Sequence, residues 1–126
     1  MRSVATAIAA LALVLGAAAS PATTPAPARV QVVAKEFYFV LSRHAVTAGP
    51  AIVELVNFGE DPHDLRLQRV GGTHVYATRQ VQPGDHHDLI LTLQPGRYRF
   101  WCGVANHRRL GMQALVTVVA KKPKSS

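Results

Sequence analysis

Three residues of types that bind soft metal ions lie near the end of the sequence. Cys102, His107 and Met112 have the spacing C-x4-H-x4-M and follow the aromatic segment 98–101. The residues two and four positions before Cys102 are aromatic, so strand alternation predicts that the thiol points toward the interior. A thiolate, an imidazole and a thioether are found together at copper sites. This spacing therefore indicates most of a mononuclear copper centre.

A second histidine is needed, because a blue-copper ligand set contains two histidines, one cysteine and a weak axial methionine. His63 is the best candidate, since it follows the predicted strand 51–58 and precedes the alternating segment 64–69. Each ligand could also have a purely structural role, which for Cys102 is packing as a small apolar residue. For His63 that role is a turn residue, for His107 an exposed loop residue and for Met112 core filler.

The rest of the sequence predicts short strands and no helix. Apolar and polar residues alternate over segments that are separated by Gly and Pro turns. Seven or more such segments favour an all-β sandwich. The predicted strands are 30–34, 36–41, 51–58, 64–69, 88–93, 98–101 and 112–119.

Residues 30–119 resemble the cupredoxins, the small blue-copper proteins that include plastocyanin and azurin. The resemblance rests on the segments V-N-F-G-E-D-P-H-D-L and G-R-Y-R-F-W-C-G and on the C-x4-H-x4-M loop. It implies a Greek-key β-sandwich of about seven to eight strands. It also implies that His63, Cys102, His107 and Met112 bind one type 1 copper ion.

The resemblance implies roles for the residues around these ligands as well. Asp64 stands at the position after the family's first histidine ligand. In the family, the backbone N–H of the residue there bonds the cysteine sulfur, and its side chain ties two loops together. One edge of His107 would reach the surface and serve as the port for electrons. Here the ring of small apolar residues around that edge would consist of Gly103, Val104, Ala105, Leu110 and Gly111.

The N-terminal segment predicts export. Residues 1–19 contain Arg2, an uncharged apolar run and a small-x-small cleavage signal, as in a secretory signal peptide. The run is shorter than the roughly 20 residues that span a bilayer, although an uncleaved membrane anchor is the alternative. Residues 20–29 predict a flexible Pro/Ala-rich leader, 30–120 the copper-binding domain and 121–126 a basic tail. We therefore expect a periplasmic or secreted protein.

Composition limits the number of domains and the partners. The chain has 126 residues, enough for one domain, and its single cysteine excludes internal disulfides and zinc sites built from several cysteines. Its net charge is +7, and Arg108 and Arg109 place part of it beside His107. This predicts a monomer that meets redox proteins through acidic docking surfaces. A solvated basic loop and peripheral contact with an anionic membrane are the competing interpretations, and nucleic acid is not expected.

These features predict a protein that shuttles single electrons and is not an enzyme. Multicopper oxidases resemble this fold but need further histidines, and the sequence contains no His-x-His pair. His86 and His87 lie in a predicted surface turn and are expected to be solvated, an adventitious metal site being the alternative. A copper chaperone using the same ligands would expose a Met cluster, yet only Met1 and Met112 are present. A cupredoxin-like domain without copper is a third hypothesis, which the complete ligand set disfavours.

Overall fold

A computed structural model of the chain describes residues 12–21, 23–123 and 125. Within these residues the chain forms nine strands and no helix, as the alternating pattern predicts. The strands are β1 (Ala28–Lys35), β2 (Tyr38–Leu41), β3 (Ala45–Thr47), β4 (Gly49–Asn57), β5 (Arg66–Arg69), β6 (Val75–Ala77), β7 (His86–Leu93), β8 (Gly96–Trp101) and β9 (Gln113–Val119).

The strands form two sheets that enclose one core. The four-stranded sheet has the order β2-β1-β4-β7, and the five-stranded sheet has the order β3-β9-β8-β5-β6. Neighbouring strands are antiparallel except for the pairs β1–β4 and β3–β9, which are parallel. Alternate side chains of both sheets point inward, because successive residues of a strand face opposite sides. The largest fully buried ones include Tyr98, Phe100, Leu55, Leu65 and Leu67. The predicted all-β sandwich is confirmed.

Three details differ from the sequence-based expectation. Strands β3 and β6 each have only three residues, too few for an alternating pattern to stand out. The predicted strand 36–41 begins at Tyr38, because Lys35 pairs with Tyr38 and the two residues between them form the turn of a hairpin. His86 and His87 do not lie in a turn but begin β7, opposite the C-terminal half of β4.

The predicted N-terminal segments lie mostly outside these strands. Residues 1–11 of the predicted signal peptide fall outside the described residues, and residues 12–19 are exposed and belong to no helix or strand. Strand β1 begins at Ala28, so the last two residues of the predicted leader belong to it. Among the described residues, no helix has the length and apolar character needed to cross a membrane.

Candidate metal centre

The side chains of His63, Cys102 and His107 converge at one end of the sandwich. One potential ligand atom from each of them lies within 4.8 Å of the other two, and all three residues are buried. The Sγ atom of Cys102 is 3.9 Å from Nδ1 of His63 and 3.6 Å from Nδ1 of His107. Both imidazoles therefore present the same ring nitrogen to the thiol.

These separations suit a metal ion placed between the three atoms. First-row metals bind thiolate and imidazole at about 2.3 and 2.0 Å, so a trigonal arrangement would separate sulfur from nitrogen by about 3.7 Å. The two observed distances of 3.9 and 3.6 Å bracket that value. One thiolate and two imidazoles in trigonal arrangement are the donor set of a blue-copper centre. The cluster thus fits copper in its donor chemistry and in both sulfur–nitrogen separations.

The protein backbone holds each of the three residues in place. Cys102 directly follows β8, and its N–H donates to the carbonyl of Met112, which directly precedes β9. His107 lies in the connection between these strands, where its N–H donates to Val104 and its carbonyl accepts from Met112. His63 exchanges two backbone hydrogen bonds with Val81, at 3.1 and 2.7 Å. The donors are therefore oriented by main-chain contacts that do not require a metal.

Met112, the expected fourth ligand, lies next to two of these residues along the backbone. Its side chain is fully buried, and its backbone bonds to both Cys102 and His107. Gly111, just before it, adopts a φ of +128°, and a Cβ there would lie 3.0 Å from the Phe37 carbonyl oxygen. A glycine is needed at this position because other residues rarely adopt that conformation. This turn brings the N–H of Met112 within hydrogen-bond distance of the His107 carbonyl.

Asp64 links the loops that carry the first histidine and the cysteine. Its Oδ1 accepts a hydrogen bond from the N–H of Gly103, and its Oδ2 lies 3.3 Å from Nε of Arg66. Burial raises the pKa of the Cys102 thiol, and backbone hydrogen bonds from Asp64 and Val104 oppose that rise. The backbone N–H of Asp64 therefore favours the thiolate, which is the form that binds metal.

A carboxylate that the sequence analysis did not single out contacts His63. Oε1 of Glu36 lies 3.0 Å from Nε2 of His63 and accepts hydrogen bonds from the N–H groups of Glu60 and Asp61, both at 2.7 Å. The Asp61 N–H bond is the largest cause that lowers the pKa of Glu36 to about 2. Glu36 is thus ionised at neutral pH. The carboxylate favours the tautomer in which His63 carries its proton on Nε2, leaving Nδ1 free to bind a metal.

The turn that receives Glu36 is organised by Asn57. Nδ2 of this buried residue donates to the carbonyls of Asp61 and Val81, and its Oδ1 accepts from the N–H of Gly59. A Cβ at Gly59 would overlap the Glu36 carboxylate, so glycine permits the close approach. The Asn-containing turn before His63 therefore positions two hydrogen-bond donors for Glu36 as well as the backbone of His63.

The outer edge of His107 differs from the apolar port that the resemblance implied. His107 is only 5% exposed, and its Nε2 lies 3.4 Å from Oδ2 of Asp61, whose side chain is 48% exposed. The ring of Phe37 packs against the imidazole with a centroid separation of 4.8 Å. Ala105 and Leu110, two members of the expected ring, are exposed. A carboxylate therefore shares this surface with the apolar residues of the expected ring.

Comparison with known proteins agrees with this arrangement. A family model for the cupredoxin-like domain matches residues 5–118. Reduced auracyanin from the photosynthetic bacterium Roseiflexus castenholzii is similar in structure, with a TM-score of 0.61 and 18% identity over 75% of this chain and 99% of that chain. No curated protein sequence matches significantly.

Two further solved structures share the fold. Auracyanin A, a "blue" copper protein from the green thermophilic photosynthetic bacterium Chloroflexus aurantiacus, has a TM-score of 0.60 and 15% identity over 74% of this chain and 99% of that chain. Amicyanin from Paracoccus versutus has a TM-score of 0.51 and 23% identity over 75% of this chain and 84% of that chain. The match to the family model covers most of the sequence, so the chain belongs to the cupredoxin-like domain family.

Proposed function

We propose that this protein binds one type 1 copper ion through His63, Cys102 and His107, with Met112 as a further, weaker ligand, and carries single electrons between redox proteins. The observation that supports this most directly is the buried convergence of one thiol and two imidazoles within 4.8 Å. When bound, copper would supply a one-electron couple between Cu(II) and Cu(I), and Met112 would help to set its potential.

The chain's own residues would keep the site similar in both oxidation states. Main-chain bonds hold His63, Cys102 and His107, while Asp64 ties the two loops together. Pre-organised ligands limit the rearrangement that accompanies a change of charge. Burial of the donors also opposes the hypothesis of a metal-transfer role, since His63 and Cys102 are 0% and 1% exposed.

The partners and location follow from the same proposal. Exposed Arg108 and Arg109 lie in the loop that carries His107 and favour redox proteins with acidic docking surfaces. Residues 1–19 support export to the periplasm or the exterior by their signal-peptide pattern. A carrier of this kind is a monomer that catalyses no reaction of its own.

A visible absorption titration with Cu(II) tests the proposal. We expect an intense thiolate-to-copper band that saturates at one equivalent in the purified protein and is absent from C102S. The double variant H86Q/H87Q is the matched control, because it removes the two adjacent histidines of β7 and should leave the band unchanged. A protein that binds no copper, or binds it without the band, would refute the proposed site.

A further inference from the structure

The two sheets differ sharply in charge. The strands of the five-stranded sheet contain four arginines and no Asp or Glu. Those of the four-stranded sheet contain two basic and two acidic residues, which balance one another. Three of these arginines, Arg66, Arg97 and Arg99, point outward, so the broad outer face of this sheet carries an excess of positive charge.

Four side chains on this face come from β5 and β8. Arg97, Arg99 and Trp101 alternate outward along β8, and Arg66 of β5 pairs with Trp101. Arg108 reaches over from the metal-binding loop, with its guanidinium carbon 4.8 Å from the centre of the Trp101 ring. We call these five residues the arginine face.

Among the described residues, most arginines of the arginine face form no ion pair with a carboxylate. In the same part of the chain, Asp64 lies 3.3 Å from Arg66, and no carboxylate forms an ion pair with Arg97, Arg99 or Arg108. Charges that are not neutralised within the protein remain available to attract an oppositely charged partner. Exposed Leu115, opposite Arg99 on β9, adds apolar surface to the same region.

The arginine face borders the copper-binding residues. Trp101 directly precedes Cys102, and a Cβ at Gly103 would overlap the guanidinium of Arg66, which therefore packs against the backbone just after the cysteine. The outer nitrogen of His107 is instead covered by the Asp61 carboxylate. An acidic partner would meet repulsion at Asp61 and attraction at the arginines.

We propose that the arginine face is the docking surface for an acidic redox protein. The inference rests on the proposed electron-transfer function and shifts the centre of contact from His107 toward Trp101 and Arg108. Tryptophan and arginine are the residue types that most often dominate the binding energy of protein interfaces. The excess positive charge would supply orientation and a fast encounter, and Trp101 with Leu115 would supply the apolar contact.

The test measures how fast the copper-loaded full-length protein accepts electrons from reduced cytochrome b5, an acidic haem protein. Stopped-flow rates are recorded from about 0.01 to 1 M ionic strength, over which the screening length falls from about 30 to 3 Å. The variant R99Q/R108Q is compared with R29Q/R43Q, which removes the same charge from exposed positions of β1 and the segment after β2. Arg29 lies at the end of β1 that is remote from Glu36 and the site.

We expect R99Q/R108Q to lower the rate of electron transfer at low salt about tenfold and to flatten its dependence on salt. A tenfold change is typical of electrostatic steering. R29Q/R43Q should lower it less than about twofold, because its charges lie away from the proposed contact. If the two double variants lowered the rate equally, the proposed docking surface would be refuted, because the rate would then depend only on the net charge of the protein. Unchanged rates combined with loss of binding to phosphatidylglycerol vesicles in R99Q/R108Q would also overturn it, in favour of a membrane contact.

The same experiment separates this inference from the proposed function. If both variants keep the blue band and show equal changes in rate, the proposed docking surface is refuted and the proposal of a copper-binding electron carrier is retained. If the wild-type protein forms no blue band, the proposed function fails, and a docking surface for electron exchange fails with it.

Discussion

The Glu36 carboxylate and the His63 imidazole form a 3.0 Å hydrogen bond across the gap between the β1–β2 turn and the segment before β5. Two backbone N–H groups hold the same carboxylate oxygen at 2.7 Å. Glu36 therefore cannot move freely to other partners. When a histidine binds a metal through one ring nitrogen and donates its other ring N–H to a carboxylate, the ring is held in one orientation and is a more basic metal ligand.

Replacing Glu36 with glutamine should weaken copper binding and raise the reduction potential. E36Q keeps the size of the side chain but removes the negative charge that stabilises the more highly charged oxidised site. We expect a loss of about 10–100-fold in Cu(II) affinity, as for other partners of metal-bound histidines. Cu(II) titration and voltammetry measure the two effects.

Glu54 supplies the charge-matched control for this prediction. It lies in β4 and accepts a hydrogen bond from Gln31 at 2.7 Å on the outer side of the four-stranded sheet. E54Q should leave affinity and potential close to those of the wild type. Equal effects of E36Q and E54Q would mean that only net charge matters and that the bond to His63 contributes nothing specific.

Removal of the His107 side chain should create an opening for small external ligands. In H107G the space beside Phe37 and Asp61 would admit imidazole, because the ring of His107 fills that position. We expect the copper band of H107G to be weak or altered and to return when imidazole is added. An absorption titration with imidazole measures this, and a full wild-type band in the absence of imidazole would contradict the assignment of His107 as a ligand.

Substitution of Met112 by leucine should preserve the blue colour and raise the potential. Leucine has a similar volume and keeps the buried site filled, but it lacks the sulfur that would interact weakly with copper. Each tenfold change in the relative affinity for the two oxidation states corresponds to about 59 mV in the potential. Voltammetry of M112L checks the direction, and complete loss of copper would be inconsistent with a weak axial role.

Substitution of Asn57 by alanine should destabilise the fold as well as the site. N57A leaves the carbonyls of Asp61 and Val81 without their side-chain donor in a buried region. We expect a loss of about 3 kcal/mol in the free energy of unfolding, since N57A removes these two hydrogen bonds and the one from the Gly59 N–H, each worth about 1 kcal/mol. Urea denaturation measures the loss. The exposed substitution Q113A provides a comparison and should change stability by less than about 0.5 kcal/mol.

The sequence predicts the metal cluster better than its surroundings. Cys102, His107 and Met112 are close in sequence, and the C-x4-H-x4-M spacing together with strand parity predicts that they approach one another. His63 needed the additional assumption that its segment crosses to the same end of the sandwich. The structure brings His63, Cys102 and His107 together.

Glu36 shows why the remaining contacts were missed. It is separated from His63 by 27 residues, and their contact depends on the parallel pairing of β1 with β4, in which Ala34 lies opposite Asn57. No local periodicity encodes such a register. The visible signal was the charged pair Lys35 and Glu36 before the apolar segment 37–41, which by itself is also typical of a hairpin turn. Asp61, two residues before His63, had no sequence feature that indicated a contact with His107.

The residues around the site come from both sheets, and this has a mechanical consequence. Cys102 and Met112 lie at the ends of β8 and β9 in one sheet, whereas Glu36 lies in the turn after β1 of the other sheet. Asn57, at the end of β4, holds Asp61 and Val81 and through them ties the Glu36–His63 pair to the four-stranded sheet. Any sliding of one sheet against the other would therefore change the distance between His63 and Cys102. The colour and potential of the centre would then report how the two layers fit together. A core substitution such as Val30→Ala, near the end of β1 that is remote from Glu36, would then be felt at the metal through the separation of His63 and Cys102.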